Sequence, residues 1–376
     1  MSTRLVDLVQ VRIDDFLDER SPSIVGVAPE LGVFVDYSRQ LLGGGKRFRS
    51  LFCYWGWNAV GTASQSFDPL DPDPLGQPDL VENLDSIVRV AAGLEFFHAA
   101  ALVHDDIMDS SDTRRGMPAA HKRFETLHAD SGWAGSATEF GMSGGLLLGD
   151  LLLGWSDELV DEGLALLQNP EAARAARDEF NAMRTEVTVG QYLDILEERS
   201  WQGHPESEHI ARAHRVIVHK SAKYSVEAPL AIGAAMGGAS LIQLTALRRF
   251  GLPLGIAYQL RDDLLGVFGD PSVTGKPAGD DLREGKRTVL IALARAELPA
   301  NAVRLLDELL GDPDLDTDQI RMLQNTIRES GAIDKVERMI AHNVELATAA
   351  LAEAPLTRQA REQLGTLTET VTNRAA

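Results

Sequence analysis

The chain has 376 residues, and its 44% of hydrophobic and 24% of charged residues are typical of a soluble globular protein. Its 56 acidic residues outnumber the 36 basic ones and give a net charge of −20, which argues against general binding to nucleic acid or to anionic membranes. An anionic substrate would therefore need a local basic pocket. Cys53 is the only cysteine, so an intrachain disulfide is excluded and a reducing compartment is expected.

The sequence shows no targeting or membrane segment. The first twenty residues lack a basic start followed by an apolar run, so no signal peptide is predicted. The longest apolar stretch, around residues 144–155, is interrupted by Asp150 and is too short to span a bilayer. We therefore expect a cytoplasmic protein.

Apolar residues recur at helical spacing along most of the chain, as at Leu84, Val88 and Ala91. Alternating β-branched runs bounded by turns are absent from the sequence, so the predicted fold class is all-α with little or no sheet. The predicted helices span residues 3–20, 29–42, 47–61, 79–110, 137–168, 170–199, 207–236, 240–267, 286–297, 300–310, 317–330, 333–353 and 357–372.

Three segments interrupt this pattern: a Pro/Asp-rich loop over 62–78, a short break over 201–206 and a long loop over 269–285. A loop as long as the third is often functional in a helical domain. Pro253 is expected to kink the helix around it or to mark its restart. No segment has the composition of a linker, so the whole chain (1–376) is expected to form a single domain.

The stretch Asp105-Asp106-Ile-Met-Asp109 places three carboxylates on about one helical turn, and Asp112 adds a fourth. Like charges at this spacing oppose a helix by a few tenths of a kcal/mol per pair, whereas Mg²⁺ prefers carboxylate oxygens. A solvated helix face in an acidic chain is the alternative. The apolar flank 99–103 favours a metal site, because it puts the acids at the end of a buried segment.

A second acidic group consists of Gln259, Asp262 and Asp263, which project together because their spacing is i, i+3, i+4. Alone, it fits a solvated helix end equally well. Two acidic groups that each close a long apolar helix suggest two walls of one cavity, in which metal ions bridge a diphosphate between helices.

Basic residues form a third pattern. Residues 44–49 read Gly-Gly-Lys-Arg-Phe-Arg, a glycine turn that enters a helix start, where backbone N–H groups and the side chains of Lys46 and Arg49 would favour an anion. A basic helix start without a ligand is the alternative. Arg114 and Arg115 follow the first acidic group.

Isolated basic residues carry less information. Lys220, Lys276 and Lys286 are each, singly, compatible with a solvated lysine, although the last two lie in or beside the long loop and could close over a phosphate. His98 lies seven residues before Asp105 on the same helix face; a lone histidine there is usually a satisfied polar residue.

The motifs occur in one order along the chain: Gly44-Gly-Lys-Arg-Phe-Arg49, Glu95-Phe-Phe-His98, His104-Asp-Asp-Ile-Met-Asp109, Thr113-Arg-Arg-Gly116, Gly190-Gln-Tyr-Leu-Asp194, Lys220-Ser221 and Gln259-Leu-Arg-Asp-Asp263. Over about residues 30–300 this combination resembles the trans-polyprenyl (isoprenyl) diphosphate synthase family. The resemblance implies an antiparallel helix bundle around a deep central cavity, the isoprenoid synthase type, normally as a homodimer. It also implies a reaction that joins isopentenyl diphosphate to an allylic diphosphate and releases pyrophosphate.

The resemblance further implies a role for each motif residue. The metal ligands would be Asp105, Asp106, Asp109, Asp262 and Asp263, which would place about three Mg²⁺ ions on the allylic diphosphate. That diphosphate would be held by Arg114, Lys220 and Lys276, and the isopentenyl diphosphate by Lys46, Arg49, His98 and Arg115. Lys286 would help to close the site, while Gln259 and Ser221 would line the place where the carbocation forms. Catalysis would depend most on Asp105, Asp109, Arg114, Lys220, Gln259 and Asp262.

The sequence departs from the family pattern at three positions. Gly266 stands where many members have a third Asp in the second acidic motif, which should weaken an outer metal contact. Ser50 replaces a frequent proline. Ser221 stands where Thr is common, and serine and threonine both offer a hydroxyl.

Product length is predicted from the helix that carries the first acidic group. Ala100 and Ala101 lie one turn below Asp105 on the same face, where aromatic residues would stop elongation at fifteen carbons in family terms. Two alanines leave this path open, and Phe97 on the next turn is the candidate floor, unless it is an ordinary core residue. The expected product is geranylgeranyl diphosphate, with farnesyl or longer (C25 and above) products as alternatives.

Three other functions remain open. A terpene cyclase also ionises a prenyl diphosphate with aspartates, but it would not need a second diphosphate pocket, and Lys46, Arg49 and the Arg114–Arg115 pair argue against it. A non-catalytic partner subunit of a related synthase is suggested only by Gly266. A helical scaffold with acidic faces explains least.

Overall fold

The computed structural model describes residues 2–60, 78–270 and 279–372, and within these ranges the chain is almost entirely helical, which confirms the all-α prediction. The helices are α1 (Ser2–Val25), α2 (Gly32–Leu41), α3 (Phe48–Asn58), α4 (Pro78–Met108), α5 (Ala120–Asp130), α6 (Ala137–Ala165), α7 (Pro170–Ser200), α8 (Glu206–Val216), α9 (Ala228–Met236), α10 (Leu241–Phe268), α11 (Asp280–Glu284), α12 (Val289–Glu297), α13 (Ala300–Leu309), α14 (Thr317–Glu329), α15 (Ala332–Glu353) and α16 (Arg358–Thr372). Short 3-10 helices span Pro29–Leu31 and Trp201–Gly203, and a π-helix spans Ile217–Glu227.

Several local predictions need correction. The helix predicted over 207–236 is divided into α8, the π-helix and α9. Pro253 lies inside a continuous α10, so the helix does not restart there. The predicted loop over 269–285 contains α11, and 271–278 lie outside the described residues, as does most of the predicted loop over 62–78. Helix α5 and a hairpin of two-residue strands, β1 (Thr113–Arg114) and β2 (Met117–Pro118), were not predicted.

Backbone packing divides the chain into two compact units. Unit 1 comprises Met1–Asp178, Pro229–Ser240 and Leu356–Ala360, and unit 2 comprises Glu179–Ala228, Leu241–Pro355 and Arg361–Ala376. The expectation of a single domain stays a prediction.

The core of unit 1 is built around α4 and α6. The Ser156 hydroxyl on α6 donates to the Gly93 carbonyl on α4 at 2.7 Å, and the Ser86 hydroxyl on α4 donates to the Gly163 carbonyl on α6 at 2.7 Å. Phe16 of α1 packs edge-on against an aromatic ring of each helix. These contacts fix the direction of α4, whose C-terminal turn carries the first acidic group.

The core of unit 2 is built around α10. Leu260, Leu264 and Val267 of α10 enter an apolar cluster that includes residues of α8, the π-helix and α12 to α15. On another face, Arg261 makes a two-pronged ion pair with Glu337 of α15, at 2.6 and 2.7 Å. The burial of the three apolar side chains of α10 sets the rotation of this helix. It therefore also sets the direction in which Gln259, Asp262 and Asp263 project.

One helix among the described residues, Leu84–Met108 within α4, is long and apolar enough to cross a bilayer by length and composition. It passes this test, rather than the 144–155 stretch that the sequence singled out. Its most apolar window is 78% buried inside the protein, as in the core helix of a soluble protein, so the evidence for a membrane span is weak.

Candidate active site

The first acidic group lies at the C-terminal end of α4. Asp105 and Asp106 occupy the last turn, and the Asp109 amide extends the helical pattern by donating to the Asp105 carbonyl at 2.8 Å. Asp106 is only 1% exposed. Arg114 donates from Nε to Asp106 Oδ1 at 2.8 Å and from Nη2 to Asp105 Oδ2 at 3.5 Å, so its guanidinium offsets the repulsion between the two carboxylates.

The β1–β2 hairpin delivers two arginines to different places. Its turn residues Arg115 and Gly116 both have positive φ, 53° and 73°, which a type I′ hairpin turn requires. Arg114 precedes the turn and reaches the aspartates, whereas Arg115 donates to the Leu41 carbonyl at 3.5 Å. A Cβ atom built on Gly45 would lie 3.7 Å from the Arg115 guanidinium, so this cation lies next to the glycine turn.

Arg47 anchors the glycine turn from inside. It is buried in the left-handed conformation (φ 50°) at the start of α3, and its guanidinium donates to Glu95 Oε2 at 3.2 Å, to Gln10 Oε1 at 2.5 Å and to the Leu42 carbonyl. Ser50 completes this network, because its hydroxyl donates to Glu95 Oε1 at 2.8 Å. With Arg47 turned inward, the exposed Lys46 and the partly buried Arg49 are left at the helix N-terminus.

Burial and the arginines of this region lower the pKa of His98. Burial is the largest cause that holds the pKa of His98 well below its ordinary value, and Arg49, Arg115, Arg114 and Arg47 add to it in that order. Burial and the neighbouring guanidiniums also lower the pKa of Arg115, while Glu95 acts in the opposite direction. Unit 1 thus brings Arg49, His98 and Arg115 together in a region of crowded positive charge, which a polyphosphate would relieve.

In unit 2, the π-helix carries Lys220 and Ser221. A Cβ on Gly190 of α7 would lie 2.5 Å from the backbone of His219 and Lys220, so glycine is what permits this close approach of α7 to the π-helix. Lys220 forms an ion pair with Asp194 of α7. The π-helical conformation is rare in proteins and is frequently found at functional sites.

A hydrogen-bonded chain links the π-helix to α10. The Ser221 hydroxyl donates to Gln259 Oε1, and Gln259 Nε2 donates to Asp263 Oδ1 at 2.8 Å. Burial raises the pKa of Asp263 to about 8; the Gln259 hydrogen bond lowers it, and the charges of Asp281, Asp262 and Asp194 raise it further. Asp263 therefore lies in a region of crowded negative charge, which a cation would relieve.

Other predicted site residues are placed as follows. Phe97 and Ala100 are buried and Ala101 is partly buried on α4. Lys286 Nζ pairs with Glu284 at 2.6 Å and lies 4.0 Å from Asp281 Oδ1. Lys276 lies outside the described residues. The first acidic group belongs to unit 1 and the second to unit 2, and the prediction that they form two walls of one cavity stays a prediction.

Sequence reasoning missed the structural roles of Arg47, Glu95 and Asp281. Glu95 stands 48 residues from Arg47, and Asp281 lies beyond the long loop, so no local spacing connects them to their partners. The available signal was that Arg47 lies between Lys46 and the apolar Phe48, where a helix start can turn one of the neighbouring cations inward.

The two acidic groups offer carboxylate oxygens, the ligands that Mg²⁺ prefers. Across the described residues, no three His, Cys, Asp or Glu side chains are gathered closely enough to hold a metal ion by themselves. Mg²⁺ is commonly held by one or two carboxylates together with substrate phosphates and water, rather than by an all-protein cage. The raised pKa of buried Asp263 is the effect that a missing cation partner would have, so the donor chemistry fits this ion.

Comparison with known proteins agrees with this geometry. The polyprenyl synthetase family model matches residues 33–327. Geranylfarnesyl diphosphate synthase of Aeropyrum pernix is 31% identical over 76% of this chain and 82% of its own, and geranylgeranyl diphosphate synthase of Methanosarcina mazei is 30% identical over 70% and 72%. The crystal structure of geranylgeranyl pyrophosphate synthase from Corynebacterium glutamicum, complexed with isoprenyl diphosphate and magnesium, matches with a TM-score of 0.89, 36% identity and full coverage of both chains.

The chain therefore belongs to the polyprenyl synthetase family, and the fold is of the isoprenoid synthase type. It is a trans-prenyltransferase, an enzyme that condenses isopentenyl diphosphate with an allylic diphosphate.

Proposed function

We propose that the enzyme makes geranylgeranyl diphosphate with Mg²⁺ as cofactor, about three ions serving each active site. The observation that carries this proposal is the crowding of Arg49, Arg114 and Arg115 around His98, because it provides a basic site beside the acidic group of α4. A cyclase, which holds one diphosphate, has no use for a second anion site. Relatives named as geranylgeranyl diphosphate synthases support the product.

Bound Mg²⁺ would neutralise the charge that develops on the departing pyrophosphate. Asp105, Asp106, Asp109, Asp262 and Asp263 would hold it. Arg114 and Lys220 add fixed positive charge for the allylic diphosphate, and both are held in place by their aspartate partners. Lys276 would bind the same diphosphate, and Lys286 would help to close the site.

The isopentenyl diphosphate is assigned to Lys46, Arg49, His98 and Arg115. Arginines can engage phosphate oxygens through two N–H groups, and the start of α3 adds its backbone N–H groups. Because its pKa is lowered, His98 is neutral at pH 7 and can donate one hydrogen bond without adding charge. The Ser221–Gln259 pair presents polar oxygens near the carbocation, held by the bond to Asp263.

One assay tests the function. Purified protein with Mg²⁺ and labelled isopentenyl diphosphate is given dimethylallyl, geranyl or farnesyl diphosphate, and the products are sized by chromatography. We expect a C20 product. A C15 or C25 end product would contradict the assigned chain length, and no consumption of isopentenyl diphosphate would favour a cyclase or a non-catalytic subunit.

Chain length depends on the small side chains below Asp105. The change Ala101→Phe fills the path proposed for the growing chain, so we expect the main product to shorten from C20 to C15. Ala101→Ser, which is nearly the same size, is the control and should keep the C20 product. An unchanged product from Ala101→Phe would refute this path along α4.

We further propose that the enzyme acts in the cytoplasm as a homodimer. Helix α6 exposes four large apolar side chains, Phe140, Met142, Leu146 and Leu147, whose exposed fractions lie between 37% and 57%. Several large apolar side chains exposed on one helix are typical of a protein interface. Light scattering should give twice the chain mass, and Leu146→Glu combined with Leu147→Glu should lower it; a wild-type monomer would contradict the proposal, and cell fractionation tests the location.

A further inference from the structure

Helix α10 lacks one carboxylate on its acidic face. Gly266 follows Asp262 by four positions and Asp263 by three, so a side chain at 266 would project beside both aspartates. With glycine there, α10 itself supplies only two carboxylates at this place.

The missing volume is filled by a residue from another element. A Cβ built on Gly266 would lie 2.7 Å from Asp281 Oδ1 and closer still to Oδ2 and Cγ. The carboxylate of Asp281, on α11, therefore occupies the space that a side chain at 266 would enter. It also lies near enough for its charge to act on Asp263, more strongly than that of Asp262 does.

The surroundings of α11 hold Asp281 in this place. The helix is flanked by Gly279 and Gly285, both with positive φ (74° and 79°), and Leu282 next to Asp281 is fully buried. The Lys286 amide donates to the Asp281 carbonyl at 3.1 Å, and the Gly311 amide donates to the Leu282 carbonyl at 2.8 Å. The buried Leu282 side chain and these two hydrogen bonds hold the short helix in place.

We propose that Asp281 takes the place of a third aspartate on α10 and lends its carboxylate to the outer coordination of the divalent cation, which Asp262, Asp263 and the substrate diphosphate would hold directly. The inference rests on the proposed function, because the cation is the one that the reaction uses. It gives Gly266 a role opposite to a defect: glycine is required so that a carboxylate from α11 can enter.

The test measures metal binding rather than turnover. Mn²⁺ serves as the probe, and its free concentration is followed by electron paramagnetic resonance in the presence of inorganic pyrophosphate. Asp281→Asn removes the charge, while Gly266→Ala leaves every carboxylate present but displaces Asp281. We expect each change to weaken the unit 2 cation site about tenfold or more, as loss of a supporting ligand commonly does.

Two further variants complete the design. Asp280→Asn, the neighbour on α11, is the matched control and should bind Mn²⁺ as the wild type does. The exchange Gly266→Asp with Asp281→Ala restores a carboxylate from α10 and should recover most of the affinity. Because alanine favours a helix over glycine, thermal unfolding should show that Gly266→Ala is folded.

Wild-type affinity, within twofold, in both Asp281→Asn and Gly266→Ala would overturn the inference and leave Asp281 as a partner of Lys286. If one of these variants fails to fold, the other and the exchange variant decide. Absence of prenyl transfer by the wild type would refute the proposed function, whereas the Mn²⁺ titration would still report on Asp281.

Discussion

The region around His98 in unit 1 and the region around Asp263 in unit 2 are electrostatic opposites. Burial is the largest cause of both pKa shifts: arginines help to lower the pKa of His98, and carboxylates help to raise the pKa of Asp263 to about 8. In each region, burial and the surrounding like charges together favour the neutral form of the central group. The first is therefore prepared for an anion and the second for a cation.

The largest expected effect comes from removing one carboxylate of either acidic group. Asp105→Asn or Asp262→Asn should lower kcat by about 10²–10³-fold, the typical cost of losing one group that stabilises transition-state charge. Asp112, 73% exposed and paired with Lys122 at 3.7 Å, gives the matched control Asp112→Asn, which should stay near wild-type activity. If Asp262→Asn keeps activity within threefold of wild type, the acidic group of unit 2 is not needed for the reaction.

The second effect is on stability, and it isolates the Asp263 region. The folded-state pKa of Asp263, about 8, lies above the unfolded value, so the native state holds a proton that the unfolded state releases. Its contribution is therefore present at low pH and is lost as pH rises towards 8. Asp263→Asn keeps the Gln259 contact and does not titrate. The free energy of unfolding of this variant, relative to wild type, should therefore rise by up to roughly 4 kcal/mol between pH 5 and pH 8.

Urea unfolding without divalent ions measures this difference. The exposed change Asp314→Asn, also in unit 2, serves as the control and should show no relative gain. Equal stability differences for Asp263→Asn at both pH values would show that Asp263 is ionised throughout.

The third effect sharpens the His98 region. Arg115→Lys keeps the charge but loses the two-pronged contact to phosphate, so the KM for isopentenyl diphosphate should rise about tenfold with little change in kcat. Arg39→Lys, at an ion pair with Asp14 and Asp18 on the surface of unit 1, is the control. A rise confined to the KM of the allylic substrate would move Arg115 to the other diphosphate.

The smallest effect concerns the support beneath the basic region. Ser50→Ala removes the hydroxyl that donates to Glu95 and should cost about 1 kcal/mol of unfolding free energy. Ser50→Pro, the residue frequent in the family, also removes the backbone N–H that points to Glu95 at 3.4 Å and should cost more. Both are measured by urea unfolding; a proline variant as stable as wild type would show that the Glu95–Arg47 pair needs no help from residue 50.

The sequence predicted the long helices well because their apolar residues repeat at helical spacing, as in α4 and α10. It missed α5, since that helix buries two histidines, His121 and His128, in addition to Ala120 and Phe124. It missed α11 because five residues between two glycines carry no periodic signal. The π-helix was also not predicted, and its close approach to Gly190 of α7 is a tertiary contact that local composition does not show.

For the candidate site, the sequence identified the charged residues but not their mutual arrangement. Arg49, His98 and Arg115 were predicted to share a ligand, and the fold brings their charges together. The inward turn of Arg47 and the entry of Asp281 beside Gly266 depend on tertiary contacts that join distant segments. Such contacts are set by packing, which a single sequence does not display.

A crystal grown with Mn²⁺ and isopentenyl diphosphate tests the two charged regions together. Anomalous density should appear at Asp262 and Asp263 and at Asp105 and Asp109, and the diphosphate should contact Arg49, His98 and Arg115. Manganese bound only at exposed carboxylates elsewhere, with the diphosphate away from His98, would contradict the account.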